Sequence, residues 1–321
     1  MNLGVFNPVF YDRSFDQCLD EVKKLGLEAI EIACGNYTGN QHCNPKQLLS
    51  DDSALAAFKK KISDRGLVIS GLSCHGNPLH PSSNIAEAHK QVQRETIQLA
   101  AKLEVDRIIT FSGCPGDSDS SKYPNWVTCA WPEDYPKVLE WQWKEKVIPY
   151  WRDEVEFAEK YGIYKICIEP HPGFVVYNPE TMLKLRQHCG KVMGVNYDPS
   201  HMFWQGIDPS DAIRALSDSI YHFHAKDTFL DARNITINGV LDGKSYRQMK
   251  ERSWYFRSVG YGHDAIVWKN MMSALRLVGY DHVISIEHED MLLSRDEGLR
   301  KAVDFLKPLL LREQASEAWW A

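Results

Sequence analysis

YKICIEPH, residues 164–171, is a run of mostly apolar residues that ends in a carboxylate and a proline. Three later stretches repeat this arrangement of an apolar run closed by an ionisable side chain. They are VMGVNYDPSH at 192–201, IYHFHAKD at 220–227 and HVISIEHED at 282–290. Short apolar runs bounded by turn-forming residues are typical of buried strands. If these runs are parallel strands of one sheet, their ionisable groups meet at the edge where the strands end.

Strand-like and helix-like segments alternate along the entire chain. The predicted strands are 3–6, 29–33, 68–74, 107–111, 165–169, 192–197, 220–224 and 283–287. Helix-start signals precede several amphipathic segments, namely Ser14, Asn178 with Pro179, and Asp208 with Pro209. Eight β/α units predict a (β/α)8 TIM barrel, in a single domain over residues 1–321. A doubly wound open sheet is the alternative, but the chain has no GxGxxG sequence for a dinucleotide.

The two longest connections between predicted elements carry many aromatic residues. One spans about 112–143, after the fourth strand, and the other about 226–263, after the seventh. Both leave the C-terminal ends of strands, where barrel enzymes build their active sites. We expect each to form a wall or lid over a substrate, or an interface with another subunit. The tail at 312–321 adds Trp319 and Trp320, which either dock on another subunit or form an exposed end.

The composition argues against several classes of protein. The chain has 321 residues with a net charge of -6, so it offers no basic field for a nucleic acid. It has no run of about 18 apolar residues and no signal-peptide pattern, so we expect a cytoplasmic protein without a membrane span. Eight scattered cysteines without a CxxC pair are expected to be reduced thiols.

The four ionisable groups at the strand ends predict a metal site. They are Glu169, Asp198, His224 and Glu287. Three carboxylates and one imidazole suit one divalent cation, with Mn²⁺ as the first choice and Mg²⁺, Co²⁺ or Zn²⁺ as alternatives. Glu169 and Glu287 would then exchange protons with a carbon next to a substrate carbonyl. The alternative is that these carboxylates only form ion pairs across the barrel, for example with Lys226.

The motifs EPH, DPSH, HAKD and SIEHE resemble the metal signature of the xylose isomerase-like barrels, also called the sugar phosphate isomerase/epimerase or AP endonuclease 2 family. The resemblance covers nearly the whole chain. By comparison with the ketose 3-epimerases of this family, it implies that the four residues bind manganese and that Glu169 and Glu287 form the acid/base pair. It also implies that His201 contacts substrate, and that Arg257, which precedes a GxG sequence, binds substrate oxygens.

The chain also departs from that pattern. The epimerases carry a further glutamate six residues beyond the first ligand, where this chain has Val175, so polyol recognition must differ. His171 and His75 lie close in sequence to predicted strand ends, and Lys226 follows His224. We predict that all three bind substrate. For His171 and Lys226 the alternatives are a surface loop histidine and a solvated ion pair.

Two enzyme functions follow from the resemblance. The first is a sugar or keto-sugar isomerase or epimerase that works through an enediolate, acting as a homo-oligomer. The second is a 3-oxo-glycoside lyase, because the sequence also resembles the large subunit of C-glycoside deglycosidases, which pairs with a small β-rich subunit. An AP endonuclease is disfavoured, because residues 254–256 are aromatic where that branch carries zinc ligands. A non-catalytic sugar-binding subunit is the remaining alternative.

Overall fold

The computed structural model describes residues 1–313, 317–318 and 320–321. Within these residues, eight parallel strands form a closed barrel, which confirms the predicted (β/α)8 fold. The barrel strands are β1 (Asn2–Phe6), β2 (Ala29–Ala33), β3 (Val68–Ser73), β4 (Arg107–Thr110), β5 (Lys165–Ile168), β6 (Met193–Tyr197), β7 (Ile220–Ala225) and β10 (Val283–Ile286). Strands β1 to β7 are neighbours in chain order, and β10 pairs with both β7 and β1 to close the barrel.

Helices connect the strands, and their first residues follow the predicted start signals. The described chain contains α1 (Phe15–Lys24), α2 (Pro45–Ser50), α3 (Asp52–Ser63), α4 (Ser83–Leu103), α5 (Asp134–Trp141), α6 (Ile148–Lys160), α7 (Pro179–Cys189), α8 (Ser200–Phe203), α9 (Pro209–Leu216), α10 (Ala232–Asn238), α11 (Ala265–Leu277) and α12 (Arg295–Leu306). The side chains of Ser14, Asn178 and Asp208 accept hydrogen bonds from the first turns of α1, α7 and α9. Each therefore satisfies backbone donors that a helix leaves unpaired at its start.

The two long connections differ in their structure. The first has no helix or strand until α5, and a π-helical segment, Gln142–Val147, joins α5 to α6. The second contains a two-stranded antiparallel sheet of β8 (Asp227–Leu230) and β9 (Trp254–Arg257), with α10 between them. The second connection is therefore a folded insertion whose aromatic residues are partly packed, as where Trp254 stacks on Trp204 at 4.9 Å.

The barrel interior contains a layer of polar side chains from five strands. These side chains are fully buried: Glu31, Ser73, Asn196, His222, His224 and Ser285. Burying a polar group is costly unless it is hydrogen-bonded, so this layer has to be a connected network. The network includes His224 and reaches Glu169 through Asn196, so it supports two of the four predicted ligands.

Other predictions concern the chain as a whole. All eight cysteines lie in the described residues, and all are free thiols, as expected. In the described part of the chain, no helix has the length and apolar character that crossing a bilayer requires. Trp319 lies outside the described residues, so the prediction about the tail is not addressed there.

Candidate metal centre and active site

The four predicted ligands lie together at the C-terminal end of the barrel. Glu169, Asp198 and Glu287 follow β5, β6 and β10, while His224 lies near the end of β7. One potential ligand atom from each residue lies within 4.8 Å of the others. Three of the side chains are fully or almost fully buried, and that of Glu287 is 17% exposed. The structure therefore brings together, on one rim, four groups that are up to 118 positions apart in sequence.

His224 lies at the centre of this cluster. Its Nδ1 lies 3.1 Å from Oε2 of Glu169 and 3.1 Å from Oε2 of Glu287. This buried nitrogen, like Oδ2 of Asp198, makes no hydrogen bond within the described part of the chain. Buried polar atoms that make no hydrogen bond are uncommon and call for an explanation. Nitrogen and oxygen atoms that converge with carboxylates in this way match the donor set of a divalent cation, so these residues fit such an ion.

Lys226 places a positive charge inside the acidic cluster. Its Nζ lies 2.8 Å from Oε2 of Glu287, 3.2 Å from Oδ2 of Asp198 and 3.4 Å from Oε2 of Glu289. Burial alone would lower the pKa of Lys226, but these carboxylates outweigh burial and raise it well above its usual range. Lys226 is only 2% exposed. It is thus a buried charge that neutralises part of the cluster, and not the solvated ion pair that was the alternative.

Neighbouring side chains keep the two candidate acid/base residues ionised. Burial by itself raises the pKa of Glu287, but Lys226 and His224 outweigh it and lower that pKa. In the same way, the neighbouring imidazoles of His201, His224 and His75 overcome the effect of burial and lower the pKa of Glu169. Both carboxyl groups are therefore ionised in this environment, which is the state required of a proton acceptor.

The predicted substrate-binding histidines lie around Glu169. Nε2 of His75 is 3.1 Å from Oε2 of Glu169, and Nε2 of His201 is 3.2 Å from Oε1. His171 does not contact Glu169 by a hydrogen bond, but its ring packs against that of His201, with ring centroids 4.1 Å apart. It is largely buried, with Nδ1 2.7 Å from the carbonyl oxygen of Pro172. All three histidines lie at the site, and their contacts with substrate remain a prediction.

Arg257 lies in the insertion and is paired with a carboxylate. Its Nε donates to Oδ2 of Asp290 at 3.0 Å, and its guanidinium lies over the ring of Tyr261 at 5.1 Å. Asp290 also accepts the backbone N–H of Ser258, which fixes the start of the loop after β9. Arg257 therefore stabilises the insertion through these contacts. The role of Arg257 in binding substrate stays a prediction.

The sequence analysis missed Glu31, which lies directly behind the candidate ligands. This carboxylate is in the middle of β2 and accepts hydrogen bonds from Nε2 of His224 at 2.9 Å and from Oγ of Ser285 at 2.6 Å. The signal was available, because Glu31 is an isolated carboxylate within the apolar run AIEIA. Such a group is costly to bury without partners, which is the argument that identified Glu169.

Asn196 and His222 extend the buried network towards the centre of the barrel. Nδ2 of Asn196 donates to Oε2 of Glu169 at 2.8 Å, and its Oδ1 accepts from Nδ1 of His222, also at 2.8 Å. Burial lowers the pKa of His222 well below its usual range, and the charge of His224 adds to this effect. The network therefore fixes the orientation of the Glu169 carboxylate from below.

Known proteins with similar sequences and folds include several barrels. The profile of the xylose isomerase-like TIM barrel family matches residues 19–309. Uncharacterized protein YfiH of Bacillus subtilis (strain 168) is 35% identical over 295 residues, which cover 91% of this chain and 94% of that protein. A structure of D-psicose 3-epimerase in the presence of D-fructose is 19% identical with a TM-score of 0.61, covering 97% of this chain and 99% of that one. The IOLI protein with a binding zinc atom is 16% identical with a TM-score of 0.66, covering 97% and 98%. This chain belongs to the xylose isomerase-like TIM barrel family.

Proposed function

We propose that this protein is a divalent-metal-dependent isomerase or epimerase of a sugar or keto-sugar. The observation that carries the proposal is the convergence of Glu169, Asp198, His224 and Glu287, whose ligand atoms lie within 4.8 Å of one another. Membership of the xylose isomerase-like family supports a carbohydrate substrate. The likeness of the fold to that of D-psicose 3-epimerase is consistent with it.

These four residues would hold one divalent cation. Three carboxylates favour a hard ion such as Mn²⁺ or Mg²⁺, and the imidazole also admits Co²⁺ or Zn²⁺. When bound, such an ion supplies Lewis acidity that makes a hydrogen next to a carbonyl easier to remove. The protein itself then has to position a base next to that hydrogen and to keep the base ionised.

Glu287 is suited to remove this proton. Its carboxylate faces a cavity of about 320 Å³ that is also lined by Phe6, Tyr11 and Tyr37, and Lys226 keeps it ionised. The proton passes from carbon to a Glu287 oxygen, and the electron pair of the C–H bond forms the double bond of an enediolate. The negative charge then rests on the former carbonyl oxygen of the substrate.

Glu169 can return a proton from a different direction, once its carboxylate has itself taken up a proton from solvent. It extends from β5, whereas Glu287 extends from β10, and β6 and β7 separate these strands. Both carboxylates still reach Nδ1 of His224, each at 3.1 Å, so they flank one small volume. Protonation of the same carbon on its other face would give an epimer, and protonation of the neighbouring carbon would give an isomer.

A lyase that shares the first step is the second candidate. If a leaving group lies β to the carbonyl, the enediolate electrons expel it instead of accepting a proton. The folded aromatic insertion of β8, α10 and β9 favours this candidate, because its Phe256 lines an apolar cavity and lies 4.5 Å from Nζ of Lys226, the partner of Glu287. Release of a second product, measured by chromatography, distinguishes elimination from isomerisation.

Hydrogen exchange with solvent tests the proposed function. The manganese-loaded protein in D₂O should incorporate deuterium next to the carbonyl of at least one free ketose, inosose or 3-oxo-glucoside. Glu287→Gln should reduce this exchange by at least about a hundredfold, the lower range for a general base. Lys301→Gln, a change on the exposed face of α12, serves as the matched control. If the protein exchanges no hydrogen with any of these substrate classes, the proposal is wrong.

A further inference from the structure

Lys226 contacts two of the four candidate ligands through oxygens that an ion would need. Its Nζ lies 3.2 Å from Oδ2 of Asp198 and 2.8 Å from Oε2 of Glu287. The other oxygen of Asp198 already accepts the backbone N–H of Ser200 at 2.8 Å, so Oδ2 is the oxygen left for an ion. Two cations at the same oxygens repel each other strongly in a buried site. Lys226 and a bound ion therefore compete for these two carboxylates.

Lys226 also reduces the cost of burying these carboxylates when no ion is bound. The side chain of Asp198 is fully buried, and that of Lys226 is 3% exposed. Buried charges are costly unless an opposite charge lies close to them. The ammonium group of Lys226 therefore substitutes for part of the charge of the ion, and it allows the ligands to stay close together in the metal-free protein.

Glu289 and Phe256 provide a second position for Lys226, directly beside the first. Oε2 of Glu289, which is not one of the four candidate ligands, lies 3.4 Å from Nζ of Lys226. The centre of the Phe256 ring lies 4.5 Å from the same Nζ, a distance at which an aromatic face attracts an ammonium group. The side chain of Glu289 is 52% exposed, so its carboxylate has room to approach Lys226. Because lysine has a flexible four-carbon stem and three donors, Nζ can shift between neighbouring acceptors by rotation of the side chain.

We propose that Lys226 takes the place of the ion in the metal-free protein, and that Glu289 is a positioning residue that receives Lys226 when the ion binds. Ion binding then exchanges the contacts of Lys226 with Asp198 and Glu287 for closer contacts with Glu289 and Phe256. Lys226 stays beside the cavity of about 320 Å³ that Glu287 and Glu289 line. This inference rests on the proposed function, because it requires an ion at the four ligands.

A double-mutant cycle in Mn²⁺ affinity tests this proposal. The wild-type protein, Lys226→Met, Glu289→Gln and the double variant are each titrated in the metal-free form by calorimetry. Lys226→Met should bind Mn²⁺ at least about tenfold more tightly than the wild-type protein, because it removes the competing charge. Glu289→Gln should weaken binding at least about fivefold more when Lys226 is present than in the Lys226→Met background. Glu297→Gln is the matched control, because Glu297 is a half-exposed glutamate that pairs with Lys301 at 3.0 Å.

The cycle separates the two ways in which Glu289 can act. Direct attraction between Glu289 and the ion, or a merely structural effect of the substitution, would be equal in both backgrounds, and equal effects would overturn the inference. A crystal structure of the manganese-loaded wild-type protein gives a second test that does not depend on the variants. It should show Nζ of Lys226 hydrogen-bonded to Glu289 and no longer in contact with Asp198, and an unchanged contact with Asp198 would also overturn the inference. If the wild-type protein binds no Mn²⁺, the proposed metal-dependent function itself is wrong, so the two failures are distinguishable.

Discussion

Nε2 of His224 lies 2.9 Å from both carboxylate oxygens of Glu31, while Nδ1 of the same ring faces Glu169 and Glu287. A carboxylate accepts but does not donate hydrogen bonds, so Nε2 carries the hydrogen. Burial lowers the pKa of His224, but Glu31, Glu287 and Glu169 outweigh it and raise that pKa well above its usual range, so Nδ1 is also protonated in the metal-free protein. Nδ1 is then the nitrogen that would bind a cation, which would displace this proton. Glu31 thus selects the tautomer and the orientation of the only imidazole among the four candidate ligands.

We therefore predict that Glu31→Gln weakens metal binding by about 10- to 100-fold, the usual effect of removing such a partner of a ligand. The measurement is calorimetric titration of the metal-free protein with Mn²⁺, with circular dichroism to verify the fold. Ser285→Ala is the matched control, because it removes one hydrogen bond to Glu31 but leaves the pair with His224. Equal affinities for Glu31→Gln and the wild-type protein would show that Glu31 has no role in positioning the ligand.

Lys226→Met should destabilise the metal-free protein. The substitution removes the cation that contacts Asp198, Glu287 and Glu289, and it leaves their charges buried without compensation. Breaking a buried ion pair in this way costs about 3–5 kcal/mol. Urea unfolding of the metal-free protein should show a loss of this size, and saturating Mn²⁺ should recover part of it. Lys165→Met, on a half-exposed lysine of β5, should cost less than about 1 kcal/mol.

His282 should make stability depend on pH. Burial lowers the pKa of His282 to about 4, whereas an unfolded histidine titrates at about 6.5. Between these values the unfolded chain takes up a proton that the folded protein does not. The stability that the folded protein gains from keeping His282 neutral is therefore fully present above pH 6.5, and it is lost as the pH falls towards 4.

This difference in pKa should lower the free energy of unfolding by about 2 kcal/mol between pH 7 and pH 5. From pH 7 to pH 5, the free energy of unfolding should fall in both the wild-type protein and His282→Gln. The fall should be about 2 kcal/mol larger in the wild-type protein. Gln retains a donor for the carbonyl oxygen of Ser70, which His282 contacts at 3.0 Å. A parallel fall in both proteins would mean that His282 is not the group that titrates.

The sequence predicted the barrel well because its strands are short apolar runs closed by turns. The predicted strands at 165–169 and 283–287 differ by only one residue at their ends from β5 and β10. The insertion was harder to predict, since β8 pairs with β9 across an intervening segment that contains α10. Such a pairing depends on contacts between distant residues, and the local pattern of DTFL does not specify it.

The candidate site was predicted only in part, for a related reason. Glu169 and Glu287 were found because each closes an apolar run, which makes an unpaired carboxylate costly. Glu31 satisfies the same criterion, but it lies within its strand. The rule that barrel enzymes carry their active-site groups at strand ends therefore does not select it. The pair between Arg257 and Asp290 joins two segments 33 positions apart and follows from the folded arrangement alone.

Metal stoichiometry tests the central claim most directly. The purified protein is stripped with a chelator, reloaded with Mn²⁺, and analysed by mass spectrometry of the metal and by titration. We predict one bound ion per chain, with His224→Ala and Asp198→Asn each weakening its binding at least 100-fold. A chain that binds no divalent ion, or that binds one equally well in both variants, would contradict the account.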